Sequence, residues 1–306
     1  MEEIFLGVFV SIACAFTWSL SVILLKIAGS QIHPVVMNLG KNLLALLLLV
    51  PSAILFEGGA PELSDVNATR ILLSGFVGIG LADAMVLKAM MGLNASKIAI
   101  IECLYSPFVI LLSILFLGES LRVEHAIGGV AILGALWLVL PKSQVSPKIG
   151  AIDQTGCEGS DYKSVFSSAL MAAGILAMAV GIILIKPVFS EVSLLWLVTY
   201  RMFAGVVASV IVWWFLEDKA VKTKALFDTQ RPFVVLSAFI LSSYVSIILW
   251  LAGYKYLETS LAAILNQTST IFTVILAVVV LGEKPTIKKA AAAMLAATGV
   301  VIASLN

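Results

Sequence analysis

Apolar runs of about twenty residues, separated by short polar connections, occupy almost the whole chain. A helix crossing a ~30 Å hydrocarbon layer needs about 20 mostly apolar residues at 1.5 Å rise per residue. The pattern therefore predicts ten membrane-spanning helices, at residues 4–28, 34–56, 68–91, 98–117, 123–140, 164–189, 194–216, 232–256, 261–281 and 286–305. Most connections are short and carry turn residues, as in EGGAPELSD after span two and GLNAS after span three. The longest, 142–163, is polar and rich in Pro, Gly and Ser. It is the expected linker between a first half, 1–141, and a second half, 164–306.

The halves repeat each other. The stretch SKIAIIECLYSPFVILLSILFLGE at 96–119 is echoed 164 residues later by SLAAILNQTSTIFTVILAVVVLGE at 260–283. Both start on serine and close on Leu-Gly-Glu, at Leu117-Gly118-Glu119 and Leu281-Gly282-Glu283. Trp18 and Lys26 in span one match Met178 and Lys186 in span six at an offset of 160, as Lys41 in span two matches Arg201 in span seven. The step from 160 to 164 places a four-residue insertion within 217–231. Five spans per half is an odd number, so the second copy must be upside-down in the membrane. The expected fold is thus all-α and integral to the membrane, with ten transmembrane helices as two inverted five-helix repeats. Such repeats place binding sites near the bilayer midplane, between the halves.

Composition sharpens this reading. The chain is 61% hydrophobic and 12% charged, against about 45–50% and ~25% for a soluble domain. Too little polar surface remains to cover so much apolar material in water. The net charge of +1 and the lack of a basic tract exclude nucleic acid as a partner. Cys14, Cys103 and Cys157 show no metal or disulfide spacing, and the N-terminus reads as an uncleaved first span. No cofactor or metal is expected.

Ten spans as five plus five, Trp18 with Lys26 in span one, a basic residue in spans two and seven (Lys41, Arg201), and Gly-Glu closing spans four and nine resemble the EamA-type carriers of the drug/metabolite transporter superfamily. The resemblance covers nearly the whole chain. It implies export or exchange of a small metabolite such as an amino acid, a multi-pass place in a bacterial plasma membrane, and both termini in the cytoplasm. The Lys/Arg distribution points the other way. Thirteen lie in odd-numbered connections and four in even-numbered ones, which puts the termini outside.

Polar groups inside the spans are costly and mark candidate sites. Glu102, Tyr105 and Ser106 form one helical stripe on span four. The matching stripe on span nine holds Asn266, Ser269, Thr270 and Thr273, with Gln267 adjacent. The two stripes are expected to face each other across a central cavity, although hydrogen bonding between helices also accounts for such groups. Asp83 is mid-span in helix three, and its counterpart in helix eight is Ile247. Asp83 and Glu102 are candidate carriers of a coupling proton, or Asp83 pairs with Lys88 or a neighbouring helix and is structural. Lys41 and Arg201 bind a substrate anion, pair with an acid, or snorkel to the interface. Lys26 and Lys186 read as interfacial anchors. Trp18 walls the cavity or is core. Ser242, Ser243, Ser246 and Trp250 give span eight a semi-polar face toward the same cavity. Pro107 is a hinge or a passive kink.

Spans five and ten are rich in Gly and Ala. They are expected to pack on each other or to form a homodimer. The alternatives to a carrier are weaker. An intramembrane aspartyl protease needs a second intramembrane Asp, which is absent, and His33 and His125 form no acid/base dyad. A non-transporting scaffold would lack facing polar stripes. The sequons at Asn67 and Asn94 fall on opposite sides of the membrane and are read as chance matches.

Overall fold

The computed structural model describes residues 2–28, 32–90, 101, 104–120, 123–139 and 157–281, with 287, 291, 294–295, 298–299 and 302. Every described element is a helix. Six are long and apolar enough to cross a membrane: Glu2–Leu25, Pro34–Glu57, Asp65–Ala89, Val165–Ser190, Leu194–Trp214 and Pro232–Tyr256. They are spans one, two, three, six, seven and eight. Span four is described as Tyr105–Leu117 and span five as Val123–Val139. Most of span ten lies outside the described residues, so ten crossings are not all represented. The helix of span six starts at Cys157, inside the stretch read as linker. The insertion at 217–231 folds as a short helix, Lys219–Phe227.

Local rules explain the ends. Span two starts with Pro34 at the first turn and with His33 Nδ1 accepting from the Val35 amide. Span three is capped by Ser64, whose hydroxyl accepts from the Asn67 amide. Asn67 is itself buried and donates to Glu191 at 2.5 Å, so that sequon is occupied by packing. Span four ends at Gly118, which takes a left-handed conformation (φ 67°) that only glycine adopts without strain.

Four spans depart from uninterrupted helix. Span three contains a π-helical stretch at Phe76–Leu81, and span eight one at Leu241–Val245. The repeat aligns the two. Span nine, expected to be continuous, is broken into Thr259–Asn266 and Ser269–Leu281. The Thr268 amide bonds to the Leu265 carbonyl three residues back, at 3.1 Å. At the aligned place in span four the Leu104 amide bonds to the Ile101 carbonyl at 3.0 Å. Pro107 sits beside the break in span four, but Ile271 occupies its position in span nine. Proline is therefore not the common cause.

Packing follows the exchange of halves. Span one lies against spans eight and nine, and span six against spans three and four. Spans two and seven pack on each other. The carboxylate closing span two, Glu57, accepts the Leu195 and Trp196 amides at the start of span seven, both at 3.1 Å. The carboxylate after span four, Glu119, accepts the Thr259 and Ser260 amides at the start of span nine, at 2.8 and 3.1 Å. The end of each span thus meets the start of its repeat mate, and the mates run antiparallel. Span five reaches span nine at Gly129 and span ten at Gly134, whose neighbours are Ile264 and Leu295.

Candidate functional site

The buried interior between the halves is polar at its centre. Lys41 Nζ lies 2.7 Å from Asp83 Oδ2, joining spans two and three. It also donates to Asn42 Oδ1 at 3.3 Å. Lys41 neither snorkels nor stands free. Of the readings open to it and to Asp83, the structure shows the ion pair. Asn38 and Asn42 both donate to Ser209 Oγ on span seven, at 3.3 and 3.2 Å, which makes the contact between spans two and seven polar around the lysine.

Arg201 is 1% exposed on span seven. Trp250 of span eight covers its guanidinium, whose carbon is 5.5 Å from the ring centroid. Arg201 Nε and Nη1 are buried and find no hydrogen-bond partner. Tyr105 and Asp83 lie within electrostatic reach. Tyr105 at the break in span four shares a hydrogen bond with Tyr254 of span eight, hydroxyl to hydroxyl, at 2.7 Å. Asn266, ending the first half of span nine, has its amide beside the Tyr254 hydroxyl. Apart from that contact with Tyr254, Oδ1 and Nδ2 of Asn266 find no hydrogen-bond partner. Two unrelated side chains thus leave buried polar atoms unsatisfied in one place, where such groups are normally paired.

Trp18 lies on the inward side of span one. At about 100° per residue it lies within about 60° of Ser11, Cys14, Ala15 and Ser21 on the helical wheel. Those four are 0%, 5%, 1% and 0% exposed. Thr17 and Ser19 beside it bond to Ser246 of span eight and to the Ser269 carbonyl of span nine. Trp18 therefore points between spans eight and nine, yet it is 39% exposed. Phe16, on the opposite side of the same helix, is 43% exposed toward the outside.

Other expected site residues are used as joints. Ser106 Oγ donates to the Ala263 carbonyl at 3.0 Å and is 3% exposed. Ser246 is 2% exposed and bonds to Thr17 at 2.9 Å. Both bind helix to helix. Gln267 is buried at the break in span nine. Lys186 is no interfacial anchor. Its Nζ donates to the Tyr254 and Leu257 carbonyls, both at 2.5 Å, and so caps the end of span eight. Glu102 and the Thr270 side chain lie outside the described residues. Among the described residues no group of three or more His, Cys, Asp or Glu could hold a metal.

Tyr254, Glu57 and Glu119 were missed as working residues. Glu119 had a signal, since Leu-Gly-Glu closes both repeated blocks. Tyr254 had none, because it sits at the end of its span among ordinary interfacial residues.

Polar groups in the interior of a polytopic helical protein, between two antiparallel halves, are the mark of a membrane transporter fold. The model of the EamA-like transporter family matches residues 5–140 and 166–305, one copy in each half. The chain belongs to the EamA-like transporter family, a family of membrane transporters and not of enzymes. No curated protein matches it. A crystal structure titled only as that of a protein has the same fold, with a TM-score of 0.72 over 98% of each chain at 14% identity.

Proposed function

We propose that the chain is a secondary transporter that exports or exchanges a small metabolite such as an amino acid. The solute sits between the halves, among spans one, three, four, six, eight and nine and against Arg201 of span seven, and the halves rock about it to expose the site to either side in turn. The observation that carries this reading is the under-bonded interior around Arg201 and Asn266, linked through Trp250, Tyr254 and Tyr105, together with the exposure of Trp18 on the inward side of span one. The carrier is a multi-pass protein of the bacterial plasma membrane, and spans five and ten are the faces for a homodimer. The breaks in spans four and nine lie beside the site, where irregular backbone is tolerated because it lines a cavity.

The Lys41–Asp83 pair gives proton coupling a place to act. A proton delivered to Asp83 removes the partner of Lys41 and frees its ammonium group. Uptake into proteoliposomes would then accelerate under a pH gradient, and equal rates with and without one would remove coupling. The carrier itself is tested by metabolite profiling of medium from cells overexpressing the chain, beside cells with Glu102→Gln. One solute class should accumulate only with the unaltered protein. Indistinguishable profiles would contradict the reading.

A further inference from the structure

We infer that Arg201 is the seat of a carboxylate and that the solute is a small monocarboxylate, a proposal that rests on the central site being the transport site. The first reason is charge. The described side chains at the centre supply two cations, Lys41 and Arg201, and one anion, Asp83. Asp83 is engaged by Lys41 at 2.7 Å. Tyr105 and Tyr254 are phenols bonded to each other. One positive charge is left over, on a side chain that is 1% exposed. A buried guanidinium without an anion is strongly unfavourable. Trp250 spreads that charge over its ring face but accepts no N–H bond. A monoanion closes the balance, whereas a dianion such as phosphate overshoots it.

The second reason lies in the repeat. Lys41 and Arg201 are the same position in the two halves. The anion of the first half is Asp83, and the residue at that position in the second half is Ile247. Duplication kept the cation twice and the carboxylate once. Among the described residues, the half that lacks the carboxylate is the half whose cation meets no anion.

The third reason is geometry. A guanidinium is a fork that matches a carboxylate. The Asn266 amide, whose one polar neighbour is the Tyr254 hydroxyl, adds a donor for the carboxylate and an acceptor for a hydroxyl group on the same solute. Tyr105 opens a helix at the break in span four. The amide end of that half-helix favours negative charge at the same place.

Purified full-length protein in detergent is unfolded thermally, with tryptophan fluorescence as readout, alongside Arg201→Gln, Arg201→Lys and Glu102→Gln. The probes are acetate, pyruvate, benzoate, alanine and phenylalanine, each against its amide, and inorganic phosphate. At least one carboxylate should raise Tm saturably, with its amide and phosphate weaker by about tenfold or more. Arg201→Gln should lose that response and Arg201→Lys keep part of it. Without any probe, Arg201→Gln should melt at or above the temperature of the unaltered protein, because it deletes an uncompensated charge. The proposal is overturned if no carboxylate surpasses its amide, if Arg201→Gln keeps the response, or if Arg201→Gln and Glu102→Gln lower Tm alike, since those two residues would then neutralise each other. Counterflow in proteoliposomes separates this inference from the carrier itself. Carboxylate binding without exchange refutes the carrier and leaves the seat, whereas exchange that ignores the carboxylate refutes the seat and leaves the carrier.

Discussion

Arg201 is positioned by a residue with no side chain. A Cβ built on Gly75 of span three would overlap the Arg201 carbonyl, which is backbone and cannot move aside cheaply. Gly75→Ala should therefore cost about 1–3 kcal/mol by overpacking, read as a fall in Tm. Gly59→Ala, with nothing within 4 Å of its Cβ, should leave Tm unchanged. Two titratable groups outside the membrane set an acid dependence. Burial raises the Glu119 carboxyl, but hydrogen bonds from Thr259 and Ser260 outweigh it and hold the group below its ordinary 4.5. A depressed carboxyl stabilises the fold above its unfolded value, and that stability fades as pH falls from about 4.5 toward the lowered one. Burial, and then the charge of Lys222, lower His33 below 6.5. Its contribution is likewise lost as pH falls below about 6.5, when Nδ1 protonates and can no longer accept from Val35. Melting against pH should show both declines. Glu119→Gln should abolish the lower one at a cost of about 1 kcal/mol at neutral pH.

At the scale of the element, legibility depended on whether the signal was local. Apolar length located the spans, and the rarity of charge inside them picked out Lys41, Asp83 and Arg201. The pairing of Lys41 with Asp83 joins different spans and is set by packing, which periodicity does not encode. The break at Gln267 and Thr268 has no proline or glycine to announce it. The π-helical stretches at Phe76–Leu81 and Leu241–Val245 likewise look like ordinary helix in sequence. Their alignment between the halves emerges only in the structure, where the paired breaks and π turns mark positions at which both halves gave up regular helix. Gly118 and Glu119 show how a short motif acts. The left-handed glycine turns the chain so that the glutamate reaches the free amides of span nine, where a negative charge is favoured. Glu57 does the same for span seven. Both clasps fix the relative position of the halves, so Glu57→Gln should alter transport rate more than substrate affinity, measured as separate changes in maximal rate and KM.

At the scale of the whole molecule, two antiparallel halves enclose a place that is polar and under-bonded, and the proposed carrier opens it at Trp18. The outward orientation of Phe5, Phe9 and Phe16 on span one, 76%, 62% and 43% exposed, fits contact with lipid. The exposure of Trp18 does not, because it faces inward. The account therefore requires water inside. Single cysteines at Trp18 and at Phe16, in a background with Cys14, Cys103 and Cys157 replaced, are exposed to a charged, membrane-impermeant thiosulfonate reagent. The account predicts rapid modification at position 18 and none at position 16, despite their similar exposure. Equal protection of both positions, or reaction at 16 alone, would contradict it.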